Sequence, residues 1–516
     1  LGDLVRELES RGMLRTLLAS RGVGVASIAV SGIAFDSRDV KPGDLFVAVP
    51  GAAVDGHEFA KAAVAGGAVA VIGERAVSGI DVPQVLVGGA RPALALTAAW
   101  LNGYPSRELG VIGITGTDGK TTTSYLVRGM LVTCGLPTGL ITTIEVVVGG
   151  KTEGYTGHTT PEAPVIQADL RRMVEAGDRF AVVETTSHGL ALDRVADIAY
   201  DIAVFTNLTH EHLDLHGTYE AYVAAKRSLF ERLRVTDQNP LKEWPKAAVV
   251  NAQDDQGAGM ARAARDAGAR VLTYAVGAQA TADIAATAVH DDGRALRLSV
   301  RTQRWQDDVT INLPGRFNAY NALAAIGVGE ALGLDPAAMR RGLAAVSGVA
   351  GRMQPVDEGQ PFDVFVDFAH TPGALAAALD ALGPVAAARG GSLISLFGSP
   401  GARDVAKRPM MGRAAGERSH VVVLTDDDPR AENEMAILEE IAAGAEEAGR
   451  RRDRDLFLIP NRRDAIRRAL EMARPGDIVL LAGKGHEPSL ALKDGPLAWN
   501  EAAVAREALN ELGYRA

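Results

Sequence analysis

A β-branched run, Val111-Ile112-Gly113-Ile114, is followed by Thr115-Gly116-Thr117-Asp118-Gly119-Lys120-Thr121-Thr122-Thr123 and then by a helical stretch. Glycines let backbone amides approach a phosphate chain, a lysine reaches its terminal groups, and a threonine hydroxyl can bind Mg²⁺. The full eight-residue phosphate-loop pattern is not met, because Ile114 stands at its first glycine position. The shorter G-T-x-G-K-T form remains. A glycine-rich turn that merely caps a helix is the bland alternative, and the strand–loop–helix context weighs against it.

Other residues with chemical potential follow other apolar runs. Glu184 closes Phe180-Ala181-Val182-Val183, where a carboxylate could sit beside the phosphate loop and hold magnesium. A lone Glu there is more often a solvated strand end, but the polar Thr185-Thr186-Ser187-His188-Gly189 supports a site. After Ile202-Ala203-Val204-Phe205, the stretch His210 to His216 has three His and two acids in seven residues, suitable ligands for a second metal. In Tyr219 to Phe230, helical spacing puts Val223, Lys226 and Phe230 on one stripe, flanked by Tyr222 and Leu229. A lysine on that stripe either snorkels to solvent or loses its proton to desolvation. A neutral amine can react with CO₂ to give a carbamate, which is a carboxylate-like metal ligand.

The elements that must position these groups are short apolar runs alternating with Ala/Leu/Arg-rich helical stretches. Further runs are Val421-Val422-Val423-Leu424 and Ile478-Val479-Leu480-Leu481. This texture predicts an α/β protein with mostly parallel sheets covered on both faces, with ligands beyond the carboxyl ends of the strands. Turn-rich or helix-ending breaks near Asn102–Ser106 and Val346–Val349 divide the chain into residues 1–108, 109–346 and 347–516. Three domains also suit 516 residues at roughly 150 each. Residues 237–245 read as a polar surface loop.

The charge balance is 54 − 64 = −10, which argues against nonspecific nucleic-acid binding. Cations that meet anionic ligands must therefore be concentrated locally. The single Cys134 excludes an intrachain disulfide and a four-Cys zinc ribbon, and fits a reducing cytosol. No signal peptide is evident from Leu1 to Glu7, and no apolar stretch is long enough to span a membrane. The expectation is a cytoplasmic protein with small-molecule partners, monomeric, with no nucleic acid and no membrane span.

The ordered motifs resemble those of the Mur ligases, ATP-dependent amide-forming enzymes of peptidoglycan precursor synthesis. They are GTDGKTTT at 116–123, ETTSHGL at 184–190, TNLTHEHLDLH at 206–216, YVAAKRSLF at 222–230, LPGRFNAYNALAA at 313–325, GRMQ at 351–354 and VDFAHTPGAL at 366–375. FGSPGARDVAKRPMMG at 397–412, TDDDPR at 425–430 and AGKGHE at 482–487 look like the UDP-N-acetylmuramoyl-tripeptide synthetase branch, which adds the third amino acid.

The resemblance implies an N-terminal UDP-binding domain, a central ATPase domain and a C-terminal α/β domain that receives the amino acid. It implies ATP and Mg²⁺ as cofactors. Gly116, Thr117, Asp118, Gly119, Lys120, Thr121 and Thr122 would hold ATP, with Asn318 and Asn321 near adenine and Arg352 and Asp367 reaching the nucleotide. Thr121 and Glu184 would bind one Mg²⁺, and His212, Glu184 and a carbamylated Lys226 a second; Lys120, Glu184, His212 and Lys226 would carry the catalysis. The UDP substrate would meet Phe35, Ser37, Thr159, Thr160, Thr186 and Arg194, and the amino acid Arg403, Asp427, Asp428, Arg430, Gly483 and Glu487.

Phe317, Phe368, Leu192, Ala402 and Asp428 depart from the family pattern. Asp428 touches specificity, since it replaces the Asn common in members that add diaminopimelate. Arg430 nevertheless favours meso-diaminopimelate, whose distal carboxylate lysine and ornithine lack. Those two amino acids are the alternative; a folylpolyglutamate-synthase-like ligase and a non-ligase nucleotide switch stand further off.

Overall fold

Gly110–Thr115, the strand that leads into the glycine loop, lies between Phe180–Glu184 and Ile202–Phe205. Thr138–Ile141 flanks the former and Ala247–Asn251 the latter, and all four pairings are parallel. Every residue of these strands is buried, so both faces are covered and no polar alternation marks them. The antiparallel strands Val146–Val148 and Lys151–Glu153 extend the edge beyond Thr138–Ile141, an addition that the apolar runs did not announce. Glu184 pairs with Ile114 and Phe205 with Thr115. That register delivers the ends of both neighbours beside the glycine loop.

The computed structural model describes residues 1–19, 24–51, 54–154, 158–209, 213–234 and 242–515, with 213 and 214 by their backbone alone. By its contacts the chain forms two compact units, Leu1–Thr273 with Gly327–Leu334, and Tyr274–Ile326 with Asp335–Ala516.

The first unit also holds a five-stranded sheet in the order Leu14–Leu18, Gln84–Val87, Ala70–Gly73, Asp44–Val47, Gly32–Ala34. Only the first pair is antiparallel. Its helix Ala90–Leu101 meets Ala163–Glu175 through Ala95, Ala98 and Ala163, small side chains that let the two backbones approach. The break read near Asn102 is where that helix ends; Tyr104 takes a left-handed conformation (φ 54) before the turn Pro105–Arg107.

Beneath the parallel strands, the buried Asp201 carboxylate accepts from the Val111 amide (2.8 Å) and from the ammonium groups of Lys242 (2.7 Å) and Lys246 (3.3 Å). This corrects the surface-loop reading of 237–245 for its described part. Lys242 is buried, and the Trp244 ring stands 4.5 Å from that of Phe180. An unpaired buried carboxylate is costly, so it draws in lysines from outside its own strand.

The second unit has the antiparallel strands Ile284–Asp291, Leu296–Arg301 and Gln306–Ile311. Its main sheet runs Gln354–Pro355, Asp363–Asp367, Ile478–Ala482, Leu393–Phe397, Val421–Leu424, Leu456–Leu458, parallel after the first pair. Successive side chains feed two cores: Phe365, Phe397, Leu424 and Leu480 join one, and Val364, Leu396, Val423 and Leu481 the other. This period of two, apolar on both faces, is what makes the strands read as continuous apolar runs.

Candidate active site

The glycine loop is held by the segment that follows the neighbouring strand. Thr117 N–H donates to the Asn207 carbonyl (2.8 Å), Asp118 N–H to Asn207 Oδ1 (2.9 Å), and the Thr206 hydroxyl to the Asp118 carbonyl (2.7 Å). Gly116 has φ 151, and a Cβ there would lie 1.9 Å from Thr206 Oγ1, so only glycine fits. Gly119, at φ 81, turns the chain into the helix Lys120–Thr133, whose first amides point back toward the loop. Lys120 Nζ donates to the Thr117 carbonyl (2.7 Å).

Thr121, Thr122 and Glu184 are buried at the carboxyl end of the sheet. The Thr121 hydroxyl lies 3.1 and 3.0 Å from the two oxygens of Glu184, and the Thr143 N–H is 3.3 Å from one of them. These are hard oxygen donors gathered in a buried place, a set that suits Mg²⁺. Lys226 does not snorkel. It is 2% exposed, donates to the Gly116 carbonyl at 2.6 Å, and lies 4.7 Å from the centre of the Tyr222 ring. His216 meets the rings of Tyr222 and His188 at 5.3 and 5.8 Å.

A polar cluster extends from Glu184. The Thr160 hydroxyl donates to the Glu184 carbonyl (2.9 Å) and receives the Thr186 amide (3.0 Å); the Thr186 hydroxyl donates to it (2.9 Å) and caps the helix Ser187–Ala191. Arg194 donates to the Thr160 carbonyl (3.0 Å) and pairs with Glu162 (2.9 Å).

In the second unit, the residues after Leu393–Phe397, Val421–Leu424 and Ile478–Ala482 form a charged cluster at the carboxyl ends of adjacent strands. Asp428 and Arg430 both have positive φ (51 and 56). The Gly401 amide donates to the Asp428 carbonyl (3.0 Å), and Arg430 Nη1 to the Gly401 carbonyl (2.6 Å). Gly483 has φ 101, and a Cβ on it would stand 2.6 Å from Asp427 Oδ2. The adjacent Lys484 is fully buried; its ammonium donates to Asp428 Oδ1 (2.8 Å) and Glu487 Oε2 (2.5 Å).

Burial pushes the Asp427 and Glu487 carboxyls up against the pull of Lys484. Burial works on Asp428 in the same sense, but Lys484 and the Ala491 N–H overcome it and hold that carboxyl below its usual range. Burial also works to lower the Lys484 pKa, and the surrounding carboxylates reverse it to a net rise. Asp426, buried and facing Glu434, is pushed up to about 7. Arg462 lies beneath, ion-paired with Glu501, and donates to the carbonyls of Asp426 (2.9 Å) and Ala482 (2.7 Å). It thereby ties the ends of two strands that carry the cluster.

Residues 114–329 match the Mur ligase middle domain, 351–485 the Mur ligase glutamate ligase domain, and 29–93 the Mur ligase family catalytic domain. The UDP-N-acetylmuramyl-tripeptide synthetase of Roseiflexus sp. (strain RS-1) is 46% identical over 94% of this chain and 95% of its own. The chain belongs to the Mur ligase family. Another member, the UDP-N-acetylmuramoyl-L-alanyl-D-glutamate–2,6-diaminopimelate ligase of Solibacter usitatus (strain Ellin6076), is 42% identical over 95% of each chain. A solved Mur ligase structure, of a UDP-N-acetylmuramoyl-L-alanyl-D-glutamate–2,6-diaminopimelate ligase, superposes with a TM-score of 0.65, is 30% identical, and covers 94% of this chain and 95% of its own.

Against the Mur ligase expectations, the structure joins the glycine loop, Glu184 and Lys226 in one place, and Thr160, Thr186 and Arg194 in another that touches it. Thr159 is half-buried beside Thr160. Phe35, 39% exposed, and Ser37 follow the strand Gly32–Ala34. No hydrogen bond or ion pair joins those two to Thr160, Thr186 or Arg194 among the described residues. His212, with His210 and Glu211, lies outside the described residues.

In the second unit, Asn318 and Asn321 are buried and joined by a 2.8 Å hydrogen bond. Asp367 accepts from the Met353 and Ala369 amides (2.7 and 2.9 Å), and so holds the turn bearing Arg352, whose guanidinium lies 4.6 Å from the Phe368 ring. Arg403 is exposed. Lys484, Arg462 and Asp201 were not singled out in the sequence. Of these only Lys484 lies within a motif already noted.

Proposed function

We propose that this Mur ligase adds the third-position diamino acid, meso-2,6-diaminopimelate, to UDP-MurNAc-L-Ala-D-Glu at the expense of ATP. The D-Glu γ-carboxylate attacks the γ-phosphorus of ATP, forming an acyl phosphate and releasing ADP. The amino group of the diamino acid then attacks the acyl carbon, and phosphate leaves from the tetrahedral intermediate. The observation that carries this reading is the buried Glu184 carboxylate, seated against Thr121 at the phosphate loop and joined through its own carbonyl to Thr160. A carboxylate so seated supports the reading, because it could hold a cation between a nucleotide on the glycine loop and a UDP substrate on the Thr160 cluster.

Lys120 would leave the Thr117 carbonyl to meet the terminal phosphates, and the loop amides would orient them. Thr121 and Glu184 would hold one Mg²⁺, and His212 with Lys226 as its carbamate would complete a second site. Bound there, Mg²⁺ neutralises phosphate charge as it develops. Carbamate formation joins the neutral Lys226 amine to CO₂ and releases a proton. Arg194, Thr186 and Thr160, with Thr159, Phe35 and Ser37, would bind the UDP substrate; Arg352, Asp367, Asn318 and Asn321 would meet the nucleotide. Arg403, Asp427, Asp428, Arg430, Gly483 and Glu487 would receive the amino acid.

Lysine or ornithine is the second reading, favoured by Asp428, a carboxylate that attracts a side-chain ammonium. ADP release is the test: it should require both UDP-MurNAc-L-Ala-D-Glu and an amino acid, with diaminopimelate used best. ADP release independent of the UDP substrate contradicts the proposal, and a preference for lysine or ornithine selects the second reading.

A further inference from the structure

Lys484 has no part in the ligation steps proposed for this enzyme. Its side chain is fully buried on a loop that otherwise carries residues assigned to the amino acid. The ligand oxygens of Asp427, Asp428 and Glu487 lie within 4.8 Å of one another, a spacing that would suit a metal ion. The Lys484 ammonium already reaches all three, at 3.9, 2.8 and 2.5 Å. Asp428 Oδ1 also accepts from the Ala491 amide at 2.8 Å. The charge that distinguishes Asp428 from an asparagine is thus matched from inside the protein.

We infer that Lys484 is a specificity-determining residue: an internal counter-cation that cancels Asp428 and lets the site accept a diamino acid with a distal carboxylate. The inference rests on the ligase reading. With Lys484 holding these carboxylates, Arg430, on the loop after Val421–Leu424 with Nη1 on the Gly401 carbonyl, is the cation assigned to the substrate's distal carboxylate. Without Lys484, the carboxylates of Asp427, Asp428 and Glu487 form an anionic wall that repels a distal carboxylate and attracts the lone side-chain ammonium of lysine or ornithine. Asp428 then acts as its type suggests, and its bias against a distal carboxylate is no longer offset.

The experiment compares kcat/KM for meso-diaminopimelate and L-lysine in the full-length enzyme and in Lys484→Met, Asp428→Asn and the double variant. Lys484→Met should lower the diaminopimelate-to-lysine ratio by roughly ten- to hundredfold, the weight of one charge-assisted hydrogen bond. Asp428→Asn should raise it. The double variant removes one charge of each sign and should recover most of the loss. A purely structural role for Lys484 would reduce both substrates alike and leave the ratio unchanged, which overturns the inference. If Lys484→Met does not fold, Asp428→Asn decides alone: a ratio that stays level or falls overturns the inference. A wild-type enzyme that releases no ADP with any amino acid is a separate outcome; it overturns the ligase reading, and this inference with it.

Discussion

Lys226 is the residue whose chemistry most depends on its surroundings. It is buried against the Tyr222 ring with its amine on the Gly116 carbonyl, so any role it has is exercised at the glycine loop. Lys226→Ala should lower ADP-forming kcat by about a hundredfold or more, as removal of a group stabilising transferred phosphate does. If the carbamate is the active form, acetate or formate should restore part of that activity in the alanine variant and none in a Glu184→Gln variant. Near wild-type turnover in Lys226→Ala would end the assignment. Lys226, Lys120 and Glu184 were legible in the sequence because each stands in a patterned place: an apolar helix stripe, a glycine loop, a strand end. Lys484 was not, because a lysine between two glycines carries no period, and its partner Asp428 is 56 residues away. Only the sheet order, in which their two strands flank Leu393–Phe397, brings the two together.

Among the elements, the sheet of the second unit depends on one buried guanidinium that joins two strand ends to the helix Glu501–Glu511. Arg462→Met leaves Glu501 charged and unpaired in the interior, apart from its hydrogen bond with the Trp499 N–H. The expected cost is about 3–5 kcal/mol, with much of it recovered when Glu501→Leu is added. Several cores unfold in this chain, so the checking measurement is the shift of the denaturant midpoint of the second unit rather than a single global free energy.

Asp426, on the same strand end, should make stability pH-dependent. Its folded pKa of about 7 exceeds the unfolded value, so the native state holds the extra proton. Its contribution is full below about pH 4 and is lost as pH rises through about 7. Asp426→Asn should flatten that slope and gain about 1–3 kcal/mol at pH 8, read from midpoints between pH 4 and 8. An unchanged slope would show that Asp426 is ionised throughout. The strands themselves were visible as apolar runs, because both of their faces are covered. The antiparallel additions and the Asp201 anchor were hidden: edge strands are short and mixed, and Lys242 lies in a polar segment that reads as exposed until its distant carboxylate is found.

On the scale of the whole molecule, the proposed function gives the nucleotide residues from both units, Lys120 and Thr121 of the first and Arg352 and Asp367 of the second. Arg352→Ala should therefore raise the KM for ATP about tenfold while the first unit stays intact, the effect expected of removing one charge-assisted hydrogen bond. An unchanged KM would confine the nucleotide to the first unit. The strand order of the first unit also governs how the chain is made. Gly110–Thr115 pairs with two strands that are both synthesised after it, and the Val111 amide waits 90 residues for Asp201. At roughly 5–20 residues per second, the apolar strand that will carry the glycine loop spends about 5–20 s on the ribosome before that partner exists. Both of its edges are open until Phe180–Glu184 is made, and the edge that takes Ile202–Phe205 stays open for the whole interval, able to pair with another chain. Nascent chains stalled just short of residue 200 should bind chaperones and aggregate on release, whereas chains extended past Lys246 should not.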